Sequence, residues 1–194
     1  MKRLAIYAIV LCLAVPLTAA VGQVGAQTSG FPGDYGRLFD GVPLPDDQKP
    51  PRPTFPARAD GPTMDLALAA AQAAVKACNG YSIAVSIVDS AGMPKLFYVP
   101  DTTAGFHAYT ALRKANTARV FDKPTSAVAA LAKGDSAIAA QVRGDGNLLA
   151  FAGGVPLWSR DQLIGAIGVS GAEPSSVDER CALAAAEVIE DQLN

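Results

Sequence analysis

One alanine-rich stretch carries the side chains best suited to chemistry. No proline interrupts the sequence between Ala104 and Phe121, which favours a single helix over this range. At 3.6 residues per turn, side chains 3, 7, 10 and 14 positions after a histidine fall along one stripe of such a helix. The predicted stripe consists of His107, Thr110, Lys114, Thr117 and Phe121.

This combination of side chains suits a flat, anionic, iron-containing guest such as haem. Imidazole is a common iron ligand, so His107 is the candidate metal ligand. An ammonium group can pair with a propionate, hydroxyls can form hydrogen bonds, and a phenyl ring can pack on a macrocycle. The candidate ligand-binding residues are therefore Thr110, Lys114, Thr117 and Phe121, and no residue stands out as catalytic. Each of them also has an ordinary structural interpretation as a solvated, capping or core side chain.

The opposite side of the same predicted helix is mostly apolar. It carries a tyrosine, a leucine, an asparagine and a valine at helical spacing, namely Tyr109, Leu112, Asn116 and Val120. Because a surface helix packs its apolar side inward, we expect this side to face the core.

Other kinds of site are disfavoured by composition and spacing. The chain has a single histidine and three cysteines, which offer no ligand cluster at zinc-site spacing. The glycines at 144, 146, 153 and 154 do not follow a strand and open a helix, as a dinucleotide-binding loop would. The net charge is −2 and no basic run is present, which argues against nucleic-acid binding.

Residues 1–26 have the composition of an export signal. Lys2 and Arg3 precede an apolar run from Leu4 to Leu17, and small residues follow. Cleavage after residue 20 or after residue 26 fits equally well. The apolar run is shorter than the roughly 20 residues that span a bilayer, so an uncleaved anchor is the less favoured alternative. We expect a periplasmic or extracellular protein with no membrane span after cleavage.

Residues 27–62 are predicted to form a flexible or extended arm. This segment holds eight prolines and five glycines in 36 residues, with few branched aliphatic side chains. It cannot bury enough apolar surface to offset the entropy lost on ordering. The arm could be a plain tether, or its aromatic residues could dock on a neighbouring subunit.

Residues 63–194 are predicted to form a single α+β domain. Thr63 is a candidate helix N-cap, and Ser176 with Glu179 has the spacing of a capping box. Helices are predicted over 63–78, 104–121, 126–133 and 176–193, and strands over 81–88, 94–99, 148–151 and 163–170. Paired strands flanked by helices imply an antiparallel sheet with helices packed against it.

Two cysteines fall on the first and last predicted helices of this domain. Cys78 and Cys181 could form a disulfide in an oxidising compartment if those helices pack side by side. They could equally be two buried free thiols, because cysteine often serves as a small core residue.

Four segments of the domain resemble the GlcG/HbpS family, whose haem-binding or haem-degrading domain also occurs at the C-terminus of PduO-type proteins. They are Ile87-Val-Asp-Ser-Ala-Gly92, Lys114-Ala-Asn-Thr-Ala118, Gly153-Gly-Val-Pro156, and Ile164-Gly-Ala-Ile-Gly-Val-Ser-Gly-Ala172 followed by Asp178-Glu179. The resemblance implies a profilin-like α-β-α sandwich, assembly into homo-oligomers, and haem or a related planar molecule as ligand.

The chain departs from this family pattern at one position of interest. His107 stands seven residues before the motif lysine, where relatives often place a serine. Because haem ligands vary within the family, His107 and Thr117 both remain candidates near iron.

Three functions are compatible with these features. The favoured one is an exported haem-binding protein for storage, sensing or scavenging. The alternatives are a haem-dependent degrading or redox enzyme, and an oligomeric accessory protein that binds a partner. Nothing in the residues demands enzymatic activity, so binding is favoured over catalysis.

Overall fold

The structure is a computed structural model that describes residues 59–193. The predicted export signal, and the predicted arm up to residue 58, lie outside the described residues. The elements are α1 (Met64–Ala77), β1 (Ala84–Asp89), β2 (Pro94–Tyr98), α2 (Phe106–Phe121), α3 (Thr125–Gly134), α4 (Ser136–Gly144), β3 (Gly154–Ser159), β4 (Gln162–Ser170) and α5 (Ser176–Leu193). None of the described helices has the length and apolar character needed to cross a bilayer.

The four strands form one antiparallel sheet in the order β2-β1-β4-β3. The two central strands pair with Ile87 opposite Ile167, and every residue of β1 is buried. Helices cover both faces of this sheet, so the predicted α+β class and α-β-α layering are confirmed.

Helices α1 and α5 pack together on one face of the sheet. The N-cap Thr63 accepts a hydrogen bond from the Leu66 amide at 3.3 Å, as its position before the alanine run predicted. The alanines at 67, 70, 71 and 74 are fully buried at helical spacing, which lets α5 approach closely. Cys78 and Cys181 form a disulfide between these helices, with their Cα atoms 5.6 Å apart.

Helix α2 covers the other face of the sheet, but through a different side than the one predicted. Its buried residues are Ala111, Lys114, Ala115, Thr117 and Ala118. The prediction that the Tyr109 side faces the core is wrong, because none of its four residues is buried and Val120 is 38% exposed; of the four, Leu112 packs partly against the apolar cluster under α2. Gly168 on β4 explains why α2 packs on the sheet through its alanine side. A Cβ at Gly168 would overlap the Ala111 carbonyl oxygen, so helix and strand approach at a distance that only small residues allow.

The third strand of the sheet lies at 154–159, a stretch that the sequence pattern assigned to a loop. The predicted strand at 148–151 is wrong, because the Leu148 carbonyl and the Leu149 amide bond to side chains of α2. Pro156 does not prevent strand formation here. β3 is an edge strand, where a missing amide hydrogen is tolerated.

The region between α2 and β3 is more helical than predicted. The short helix predicted at 126–133 is confirmed as α3, and α4 follows it, capped by the Asp135 carboxylate. The predicted capping box is not formed. The Glu179 carboxylate instead accepts hydrogen bonds from the amides of Ser126 at 3.0 Å and Gly153 at 3.1 Å, so it joins α5 to α3.

Candidate functional site

An open cleft of about 590 Å³ lies where the first turns of α2 meet the loop between β4 and α5. Its walls come from three segments, namely one side of α2, residues 149 and 151, and the end of β4 with the loop up to the start of α5. A volume of this size is in the range of small-molecule sites.

Three of the five predicted stripe residues line this cleft. They are His107, Thr110 and Lys114. Thr117 and Phe121 are not among the lining residues. The Thr117 hydroxyl is fully buried, where it donates to the Arg113 carbonyl oxygen at 2.8 Å and accepts from the Leu149 amide at 2.6 Å. Phe121 is the half-buried last residue of α2.

His107 is oriented by a neighbour on β4. Its Nδ1 lies 3.2 Å from the Ser170 hydroxyl oxygen, at hydrogen-bond distance. Within residues 59–193, no side chain or backbone group forms a hydrogen bond with Nε2. When Nδ1 donates to the serine, Nε2 carries a free lone pair. Metal-binding histidines use this arrangement, in which one ring nitrogen is held and the other binds the metal.

Lys114 forms a buried ion pair at the base of the cleft. Its side chain is 3% exposed, and its ammonium group donates to Asp178 Oδ2 at 2.8 Å and to the Val169 carbonyl oxygen at 3.0 Å. Burial lowers the pKa of Lys114, and the hydrogen bond that its ammonium group donates to Asp178 partly offsets that effect. The lysine predicted to meet a propionate is therefore already paired inside the protein.

The same ion pair shapes the loop that borders the cleft. Asp178 Oδ1 accepts a hydrogen bond from the Ala172 amide at 2.8 Å. Lys114 holds the end of β4 through the Val169 carbonyl, so one buried pair positions both ends of the turn that leaves the strand.

The cleft wall at residues 149 and 151 is held by α2. Arg113 Nη2 donates to the Leu148 carbonyl oxygen at 2.8 Å, and Thr117 accepts from the next amide, that of Leu149. Arg113 and Thr117 are one helical turn apart, so together they fix the backbone that presents Leu149 and Phe151. Thr117 thus positions the wall of the cleft.

Sequence reasoning missed several residues of the site. Ser170, Leu149, Phe151 and the loop at 171–175 all line the cleft. Ser170 stands in a segment that carries the family resemblance, but a serine at a strand end has no local signal for a role in orienting a histidine. Its partner is 63 residues away in the chain, a distance that periodicity cannot bridge.

The comparisons with known proteins identify the family to which the chain belongs. The family model described as "Haem degrading protein HbpS-like" matches residues 63–187, and the chain belongs to this family. No curated protein matches the chain.

Solved structures show the same fold. The chain is similar to HbpS, with 30% identity, a TM-score of 0.61, and coverage of 73% of this chain and 99% of that one. It is also similar to the Klebsiella pneumoniae protein ORFY, with 26% identity, a TM-score of 0.61, and coverage of 69% and 94%. PduOC, solved as a complex with haem, shares the fold at 24% identity, with a TM-score of 0.60 and coverage of 66% and 95%.

Proposed function

We propose that this protein binds haem in the cleft, with His107 Nε2 as an iron ligand. One observation carries the proposal: Ser170 holds Nδ1, while Nε2 has no partner in the described chain and the ring lines the cleft. Membership in a haem-related family supports the identity of the ligand. Bound haem would supply redox-active iron to the site.

Exposed aromatic and apolar side chains near the cleft favour a flat guest. Phe151 lines the cleft and is 62% exposed. Phe106 is 65% exposed, and its ring centroid lies 4.0 Å from that of His107. Large aromatic groups left in solvent beside a cleft are typical of ligand sites, since a planar ring system can bury their faces. Leu149 and Pro174 add further apolar lining.

We further propose that the protein works outside the cytoplasm, in storage, sensing or scavenging of haem. The leader-like composition of residues 1–26 supports export. The disulfide between Cys78 and Cys181 supports an oxidising compartment, because such bonds are rare in reducing ones. Assembly into homo-oligomers, which the family resemblance implies, is part of the same proposal.

Haem degradation is the second candidate function, and the family description favours it. Degradation and binding use the same cleft and the same iron ligand, so they differ only in what happens after haem is bound. Incubation of the haem-loaded protein with ascorbate and oxygen separates them. Degradation predicts Soret loss faster than that of free haemin, with release of iron, whereas binding alone predicts a persistent Soret band.

Titration of the purified protein with haemin tests the proposed function. We expect a saturable Soret shift for the wild type and a displaced Soret band with weaker binding for His107→Ala. Tyr109→Phe is the matched control, because it removes another possible iron ligand from α2 at a residue that does not line the cleft. It should bind haemin as the wild type does.

The absence of any saturable shift at micromolar protein concentration would refute haem binding. An accessory role would then be the better account, and it predicts a stable protein partner in pull-downs from native extracts.

A further inference from the structure

The charges around the cleft indicate which part of a tetrapyrrole it can accept. Apart from His107, Lys114 is the only basic side chain lining the cleft in the described part of the chain. It forms an ion pair with Asp178, and this pair carries no net charge. Glu173, which is exposed, adds a negative charge to the loop. The lining as a whole is therefore not cationic.

Most hydroxyl groups that line the cleft already form hydrogen bonds within the protein. Thr110 Oγ donates to the Phe106 carbonyl oxygen at 3.3 Å, and the Ser170 hydroxyl contacts His107. Of the three hydroxyls that line the cleft, only that of Ser175 has no hydrogen bond within the described residues. A carboxylate entering the cleft would lose its hydration and find few side-chain donors in exchange, which is unfavourable.

We propose that the cleft accepts the tetrapyrrole ring and leaves its carboxylates in solvent, so that it selects its ligand by the macrocycle and iron and not by the propionates. This inference rests on the proposed function and narrows its ligand class. It predicts that tetrapyrroles with esterified or shortened acid side chains bind as well as haem. The propionates contribute no attraction at this site, because the ammonium group that could have met them is buried in an ion pair.

A comparison of haemin with haemin dimethyl ester tests the inference. Both are titrated into the full protein in the same dimethyl sulfoxide fraction, and the Soret shift gives each dissociation constant. We expect the ester to bind at least as tightly as haemin. Binding of haemin about tenfold or more tighter than the ester, or about 1.4 kcal/mol, would overturn the inference while leaving haem binding intact. If neither compound binds, both the inference and the proposed function fail.

Glu173→Gln provides a second, independent arm. Removal of this negative charge should increase haemin affinity about two- to fivefold, in line with the size of exposed charge effects, and leave affinity for the ester unchanged. Glu187→Gln, at an exposed position of α5 that does not line the cleft, is the matched control and should change neither. Equal gains in affinity for haemin and the ester would contradict the inference, because the ester has no carboxylates to repel.

Discussion

The two faces of the sheet are covered in different ways. On one face, α1 and α5 enclose a continuous core of twenty buried apolar residues and are joined by a disulfide. On the other face, α2 contributes to a cluster of four buried apolar residues among those that the structure describes. The buried polar groups of α2, Lys114 and Thr117, lie beside that small cluster.

The two faces therefore have different roles: one contributes most of the stability, and the other positions the groups that form the cleft. Apolar burial is nondirectional, so the first face can hold the fold together without determining where any single group points. Buried hydrogen bonds and ion pairs are directional and costly to leave unmade, so the second face determines the positions of the loop and wall that form the cleft. We expect substitutions on the two faces to act on different properties.

Among the substitutions considered, Lys114→Met should reduce the stability of the protein most, although Lys114 lies on the face with the smaller core. The Asp178 carboxylate would remain buried without its partner, and we expect the free energy of unfolding to fall by about 3–5 kcal/mol. Urea denaturation measures this change. The double variant Lys114→Met/Asp178→Leu should lose less than the single variant, because it leaves no unpaired charge. A double variant that loses the sum of both single effects would contradict this assignment.

Removal of the disulfide should show most clearly that the two faces act on different properties. The bridge closes a loop with a sequence separation of 103 residues, and Cys78→Ala/Cys181→Ala should lower the free energy of unfolding by about 2–4 kcal/mol. Neither cysteine lines the cleft, so the haemin titration should be unchanged at a temperature where the variant is folded. A changed Soret maximum in the folded variant would show that the two faces are not independent.

Gly168→Ala tests the close approach of α2 to the sheet. The added methyl group would overlap the Ala111 carbonyl oxygen and lie 2.8 Å from the Ala115 amide nitrogen, so α2 must shift. We expect a loss of about 2 kcal/mol in a denaturation experiment, the usual size for overpacking. Gly105→Ala is the control, since no atom of the described chain lies within 4 Å of its added methyl group. Equal stability of the two variants would mean that α2 does not approach β4 closely at Gly168.

Ser170→Ala should have the smallest effect of these substitutions, and it should change ligand binding only. Loss of the group that orients His107 should weaken haemin binding about tenfold, less than loss of the histidine itself. Ser86→Ala is a matched control, because Ser86 is also a buried strand serine but its hydroxyl has no hydrogen-bond partner within residues 59–193. Equal affinity changes in the two serine variants would remove the orienting role.

The sequence predicts the fold well where the periodic signal is strong. The long alanine-rich helices and the central strands were predicted because their patterns extend over several turns or alternations. The edge strand β3 was missed because Gly153, Gly154 and Pro156 are typical of loops. Pairing with β4, which no local pattern reveals, makes this stretch a strand.

The site was predictable only in part, for a geometric reason. Helical spacing places His107, Thr110 and Lys114 on one side of α2, and all three line the cleft, but the spacing does not show which side of α2 packs on the sheet. The sequence pattern predicts that Lys114 is available to a ligand, but its ammonium group is paired. Its partner Asp178 is 64 residues away, and only the folded chain brings the two together.

Chemical rescue tests most directly whether His107 is the iron ligand. In His107→Gly the imidazole ring is absent, and free imidazole at millimolar concentration can take its place beside the bound haemin. We predict that haemin-loaded His107→Gly has an altered Soret maximum and that added imidazole restores the wild-type spectrum. A variant whose spectrum equals that of the wild type before any imidazole is added would contradict ligation by His107.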